Sequence, residues 1–290
     1  MLPSRARGAI SLLLLALVAL AGAPAAAQLP SANVIRVTLA GEQPSITPGR
    51  EFWVAVQFNM DKGWHIYWTN PGDSGEPPRV QWRLPPGFQV GELQWPHPER
   101  LVTKYSTDYG YAGQMLLLAP IRPPAGLAPG AKVDLAGTVK WVVCREVCIP
   151  GKTEVSLSLP VQPGAAPQPS KVFQDARQRI PQPAPAHWRA RARSQGNDFV
   201  LSIDTGRRLA KAEFFPSQPQ QIENAAPQVA SAFPRGVRLR LKKSGQLLKP
   251  IANLKGILVL PSGKSYVIDA PVAGAANPDS RHKDSTKKPS

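Results

Sequence analysis

Cysteine is nearly absent from these 290 residues: Cys144 and Cys148 are the only two, in the stretch VKWVVCREVCIPGKTEVSLSLP. A disulfide-dense scaffold is therefore excluded. Histidine is scarce as well, at four residues. No His-x-His spacing or further cysteine supplies the remaining ligands that zinc requires beside the pair. After the N-terminus, no second apolar run is long enough to span a bilayer. Long amphipathic helical patterning is missing outside one short segment, which argues against a helical bundle, and no internal repeat of useful strength occurs. Acidic residues are few, with 19 Asp and Glu against 35 Lys and Arg.

What is present begins with an export signature. Arg5 and Arg7 precede the apolar run AISLLLLALVALAGA, and APAAA before Gln28 reads as a small-residue cleavage site. Residues 1–27 are thus expected to be a signal peptide, with an uncleaved anchor as the alternative. The chain from Gln28 onward is expected to be soluble and periplasmic, a compartment that permits disulfides. The formal charge of +16, or +14 without Arg5 and Arg7, would suggest nucleic acid in a cytosolic protein. In an exported one it favours solubility and attraction to acidic partners or anionic membrane surfaces, so no nucleic acid is expected as partner.

The 33 prolines and short, alternating, Gly- and Pro-punctuated strands predict an all-β chain of immunoglobulin-like sandwich type. NVIRVTLAG (33–41) and REFWVAVQFNM (50–60) alternate at period two. VQW and GELQW look like short strands, and QMLLLAPI (114–121) reads as a strand buried on both faces or lying close to the sandwich core. The expected organisation is a first domain over 28–162 and a helix-containing linker over 163–186. A second, smaller β-rich domain follows over 187–272, then a basic disordered tail over 273–290. Within the linker, Ser170 is the expected N-cap and Pro181 the stop, with Val172, Phe173, Ala176 and Ile180 on one face.

The spacing of the cysteines constrains their geometry. On one continuous strand, residues four apart lie about 13 Å from each other, too far for a disulfide. A three-residue hairpin loop of Arg145, Glu146 and Val147 brings Cys144 opposite Cys148. Pro150 and Gly151 are then expected to turn the chain before the return strand. Three readings compete. A structural staple closing a ring of about five residues contributes only about 2 kcal/mol. A metal clip suits copper(I) better than zinc, because two thiolates satisfy it. A redox-active dithiol is the third, since a short closed ring exchanges readily.

Several separated motifs then carry a resemblance. GWHIYWTNPGDSGEPPRVQW, LPPGF, LQWPHPERL, YGYAGQMLLLAPI and WVVCREVCIPGKTEVSLSLPV together resemble the periplasmic N-terminal domain of DsbD-type thiol:disulfide interchange proteins. The likeness is greatest to the branch related to suppressor-of-copper-sensitivity B proteins. It covers residues 33–162 well and 170–272 more loosely. It implies an immunoglobulin-like domain that receives electrons from a thioredoxin-like or membrane-embedded dithiol donor and passes them to periplasmic disulfide-containing proteins. No cofactor beyond the cysteines is implied. Cys144 and Cys148 would be the active pair, and Cys148 would form the intermolecular mixed disulfide. The family's cap loop resembles Tyr105–Tyr111, with Tyr109 and Gly110 the best-matched positions and Asp108 beside them as an auxiliary carboxylate. The spacing here is shorter than in the best-studied members, and neither a membrane module nor a thioredoxin-like unit with its C-x-x-C is present. The donor is accordingly expected to be a separate polypeptide. A copper-handling module using the same thiolates, or a structural assembly partner, are the alternatives.

Among the aromatics, a strand over 64–68 places Trp64, Ile66 and Trp68 on one face and His65 and Tyr67 on the other. Core and rim packing is the expected role of all of them, with partner docking by His65 and Tyr67 as the minority reading. NPGDSG (70–75) reads as a tight loop, with no metal or catalytic role expected for Asp73. Arg145 would favour a thiolate and Glu146 would oppose it.

Overall fold

A computed structural model describes residues 34–162, 164 and 170–274. The expected signal peptide, most of the Pro- and Ala-rich linker and nearly all of the basic tail lie outside these residues.

The first half contains ten strands: β1 (Ile35–Gly41), β2 (Phe52–Met60), β3 (His65–Gly72), β4 (Arg79–Arg83), β5 (Gln89–Val90), β6 (Glu99–Val102), β7 (Thr107–Ala112), β8 (Gln114–Arg122), β9 (Lys132–Cys144) and β10 (Cys148–Pro160). They form a four-stranded sheet, β1-β2-β8-β5, facing a sheet ordered β10-β9-β3-β7-β6, in which β4 also pairs with β9. Alternation explains the layering. Val56, Phe58, Trp64, Ile66, Trp68, Tyr109, Tyr111, Leu117, Val139, Trp141 and Val143 are buried together between the sheets, as period-two strands require. The fold is all-β and immunoglobulin-like, as the strand patterning predicts.

Strand β8 is buried on both faces for two reasons. Met115 and Leu117 face the sandwich core, and Ala119 and Ile121 enter a second cluster at its far end. Leu116 and Leu118 instead lie under the helix α1 (Lys171–Gln178), whose Phe173 and Ala176 cover them. Burying Phe173 contributes about 2 kcal/mol. Ser170 is the N-cap, although its side chain makes no capping bond. Val172 is half-exposed, and Arg177 pairs with the buried Glu42 and stacks over Trp53.

The second half comprises β11 (Gln182–Pro183), β12 (Arg189–Gln195), β13 (Asp198–Asp204), β14 (Glu213–Pro216), β15 (Val229–Phe233), β16 (Gly236–Lys242), β17 (Asn253–Val259) and β18 (Ser265–Ala273). They hydrogen-bond in the order β14-β17-β18-β12-β13-β16-β15, with β11 beside β18. Phe199, Leu201, Phe214, Leu239 and Leu258 anchor their core. This half is docked on the first. Phe215 and Ile257 join the first half's core, and the Phe215 and Tyr109 rings meet edge-to-face at 5.2 Å. The buried Asn70 amide donates to the Pro216 carbonyl at 2.7 Å. Asn224 accepts from the Tyr109 hydroxyl and donates to Asp73, each at 2.8 Å.

Two local expectations need correction. GELQW is not a strand; only Gln94 makes an isolated bridge to Leu118, and the strand forms earlier, at Gln89–Val90. Pro150 and Gly151 do not turn the chain, because β10 runs unbroken from Cys148 and pairs them with Val142 and Trp141. The physical reason is that β10 is the outermost strand of its sheet, where a residue without an N–H is tolerated.

Candidate functional site

The register of β9 and β10 builds the site. Cys144 lies opposite Cys148, their Cα atoms 4.2 Å apart and their sulfurs bonded, with Arg145, Glu146 and Val147 as the loop. On the other side of β9, His65 of β3 lies opposite Cys144. Pairing therefore aligns His65, Cys144 and Cys148 in one row across three strands. Cys144, in the middle of the row, is 3% exposed, whereas Cys148 on the edge strand is exposed. The Arg145 guanidinium stacks over Trp64, 5.2 Å from the ring centre.

A polar chain leads from the disulfide inward. The Tyr67 hydroxyl lies 3.6 Å from Cys148 Sγ and 3.3 Å from Ser74 Oγ. Ser74 donates both its N–H (3.1 Å) and its hydroxyl (3.0 Å) to Asp108 Oδ1, while Ser106 donates to Oδ2 at 2.8 Å. His65 Nε2 lies 3.5 Å from Asp108 Oδ2, and the His65 ring meets the Tyr67 ring edge-on at 5.2 Å. Because the Ser74 proton is directed to Asp108, Tyr67 is the donor toward either the serine oxygen or the sulfur. Burial, offset by the Ser74 bond and reinforced by Asp108, raises the Tyr67 phenol above its ordinary range. It therefore stays protonated at neutral pH. Gly75 makes the approach to Tyr67 feasible. With φ at 77°, it lies flat on the phenol ring, where a Cβ would fall 2.1 Å from Cζ.

The first half of the chain is similar to a known family. Residues 32–160 match the family model described as thiol:disulfide interchange protein DsbD, N-terminal. Among solved structures, the N-terminal periplasmic domain of ScsB from Proteus mirabilis has a TM-score of 0.62 at 16% identity. That alignment covers 84% of this chain and 95% of that one. Such a likeness establishes the fold, and its coverage reaches beyond the DsbD match into the second half. A protein of unknown function from Porphyromonas gingivalis W83 aligns over 82% of this chain and 96% of its own at 12% identity, but its TM-score of 0.24 carries no argument. No curated protein matches.

The segment expected to form a cap is placed differently. Its tip, Tyr105, is 80% exposed in a turn closed by Thr103 and Ser106. From Thr107 the chain is strand β7, paired on both sides by β3 and β6. Tyr109 is buried and held by Asn224, and Gly110 lies opposite Tyr67 within the sheet. Neither residue is in a loop over the disulfide. The alternation of Tyr109 and Tyr111 into the core draws this stretch into the sheet instead. Asp108 does approach the pair, through Ser74 and Tyr67. His65, Tyr67 and Ser74 carry more of the site than core packing suggests. For His65 and Tyr67 the available signal was the shared strand face opposite Trp64, Ile66 and Trp68.

Removing the Tyr67 hydroxyl is expected to raise the pKa of the reduced Cys148 thiol, because a charge-assisted bond to the thiolate is lost. The sign follows from the bond favouring the thiolate. Below that pKa, Tyr67→Phe should alkylate about threefold more slowly, the smaller thiolate fraction being partly offset by the greater nucleophilicity of a more basic sulfur, read from the rate of iodoacetamide reaction against pH. An unchanged profile would remove Tyr67 from the site.

Proposed function

We propose that this chain is a periplasmic thiol–disulfide exchange protein. It relays reducing equivalents from a thioredoxin-like or membrane-embedded dithiol donor to periplasmic proteins through Cys144 and Cys148. Residues 28–162 form the exchange domain in this reading, and residues 187–272 a second domain buttressing it. The observation that carries the proposal is the exposed edge-strand position of Cys148, with a protonated phenol within reach of its sulfur. The match of residues 32–160 to the DsbD N-terminal family supports the same chemistry. A staple is poorly motivated here. The thirteen residue pairs of β9 and β10 already zip the hairpin, and closing so small a ring adds about 2 kcal/mol.

A donor thiolate attacks Cys148 Sγ, and Cys144 leaves as thiolate. The donor's second thiol then attacks the mixed disulfide, leaving the donor oxidised and the pair reduced by two electrons. In the second half-reaction the Cys148 thiolate, hydrogen-bonded by Tyr67, attacks a substrate disulfide and releases one substrate thiol. Cys144 resolves that intermediate, restoring the Cys144–Cys148 bond and freeing the second thiol.

Equilibration in glutathione and thioredoxin redox buffers tests this. The pair is expected to reduce at a potential above about −300 mV, as exposed exchangeable disulfides do, with the circular dichroism of the folded protein retained. A potential well below that, or loss of the fold on reduction, would return the pair to a structural role. Tight stoichiometric copper(I) binding without exchange would assign it to metal handling.

A further inference from the structure

A cleft of about 380 Å³ opens beside the disulfide, lined by Pro77, Arg79, Lys140, Val142, Pro150 and Lys152, among others. Strand register places it. Pro150 lies opposite Val142, and Lys152 opposite Lys140, two and four residues from the Cys148–Cys144 pair. Period two puts both pairs on the same sheet face as the cysteines. From the disulfide, the apolar pair is about 7 Å away and the lysine pair about 13 Å away.

The charges in this cleft are unusual. Arg79 lies opposite Lys140, which lies opposite Lys152, so three cations stand abreast on adjacent strands. Like charges directly opposite one another destabilise a sheet. Of the three, only Arg79 pairs directly with a carboxylate, Glu76 at 3.8 Å. The nearby Glu154 is bound by Thr138 and Arg83 and also feels the charge of Lys152, but neither lysine makes a direct ion pair among the described residues. Their exposed ammonium groups, left without a direct ion-pair partner, fit a ligand that brings a further anion.

We propose that this cleft docks an extended acidic segment of the redox partner. The partner's reactive cysteine would meet Cys148, an apolar side chain two residues away would sit on Val142 and Pro150, and a carboxylate four residues away would reach Lys140, Lys152 and Arg79. This rests on the reading of the pair as an exchange site, and deepens it by stating what the partner presents.

The test uses reduced protein and short peptides whose single cysteine is activated as a mixed disulfide with thionitrobenzoate. Each peptide carries Leu two residues and Glu or Lys four residues from the cysteine, with versions on either side of it. Cys148 attacks the peptide sulfur and releases thionitrobenzoate, which is followed by absorbance. Cys144 then expels the peptide as a thiol. In one orientation, the Glu peptide is expected to react about tenfold faster than the Lys peptide at an ionic strength of about 0.01 M, with the ratio falling as salt screens it. In K140E/K152E the order of the two peptides should invert. Equal rates for Glu and Lys peptides in both orientations at low salt, or a ratio unmoved by K140E/K152E, would overturn the docking proposal. The neutral hydroxyethyl disulfide separates the two levels. If the unsubstituted protein reduces it but ignores peptide charge, only the cleft assignment falls. If it does not reduce it, the exchange reading falls and this inference with it.

Discussion

Cys144→Ala is expected to trap a mixed disulfide with a thioredoxin-like donor, and Cys148→Ala to trap almost none. The donor in this experiment keeps only its attacking cysteine, activated with thionitrobenzoate, so that no resolving thiol remains on either protein. The asymmetry follows from position in the sheet. Cys148 opens the edge strand and is exposed, whereas Cys144 is enclosed between β3 and β10 and is only 3% exposed. For Cys144 to meet a macromolecular disulfide, the hairpin end has to open. A local opening of about 3 kcal/mol slows capture about a hundredfold. The Tyr67 hydroxyl adds to the difference, since its sulfur contact is to Cys148. Non-reducing electrophoresis reads the trapped complex directly. Equal trapping by the two variants would overturn the assignment of the attacking sulfur. Trapping by neither would leave the disulfide as a staple.

Much of this site was legible because its determinants are local. The three-residue loop follows from two cysteines four apart flanked by alternating strands, a pattern fixed by residues 139–161 alone. The double burial of β8 was equally readable, since a run of apolar residues with no polar alternation has to be covered twice. The helix that covers it was visible from its own periodicity, though which sheet it covers was not. What stayed hidden depends on pairing across long separations. Nothing local indicates that His65 lies opposite Cys144, or that Asn224 joins Tyr109 to Asp73. Pro150 and Gly151 read as a turn because those residue types usually make one. Their place in a strand depends on β10 being an edge, a property of the assembled sheet. The accessibility of Cys148 comes from that same sheet edge.

Gly110→Ala is expected to destabilise the protein by about 3 kcal/mol or more, beyond the usual range for a surface change. Gly110 lies opposite Tyr67 where β7 and β3 pair. A Cβ there would sit 2.0 Å from the Ile66 carbonyl oxygen, and backbone, unlike a flexible side chain, cannot swing away. Relief requires the strands to part. On β7, Tyr109 and Tyr111 are fully buried flanking Gly110, and Tyr111 donates to the Pro96 carbonyl at 2.7 Å. On β3, Ile66 and Trp68 belong to the same core. Separation would thus loosen the centre of the sandwich and shift the strand that presents His65 and Tyr67 to the disulfide. Thermal unfolding should show a midpoint lower by about 10 °C or more, with slower reduction of hydroxyethyl disulfide below the transition. A cap-loop role makes the opposite demand: a substituted loop residue would change the alkylation rate of the reduced pair while leaving the midpoint within about 1 °C, the size of a neutral surface substitution. That result would place Gly110 over the disulfide rather than inside the sheet. Loss of stability with slowed exchange identifies it as the close contact that holds β3 in register.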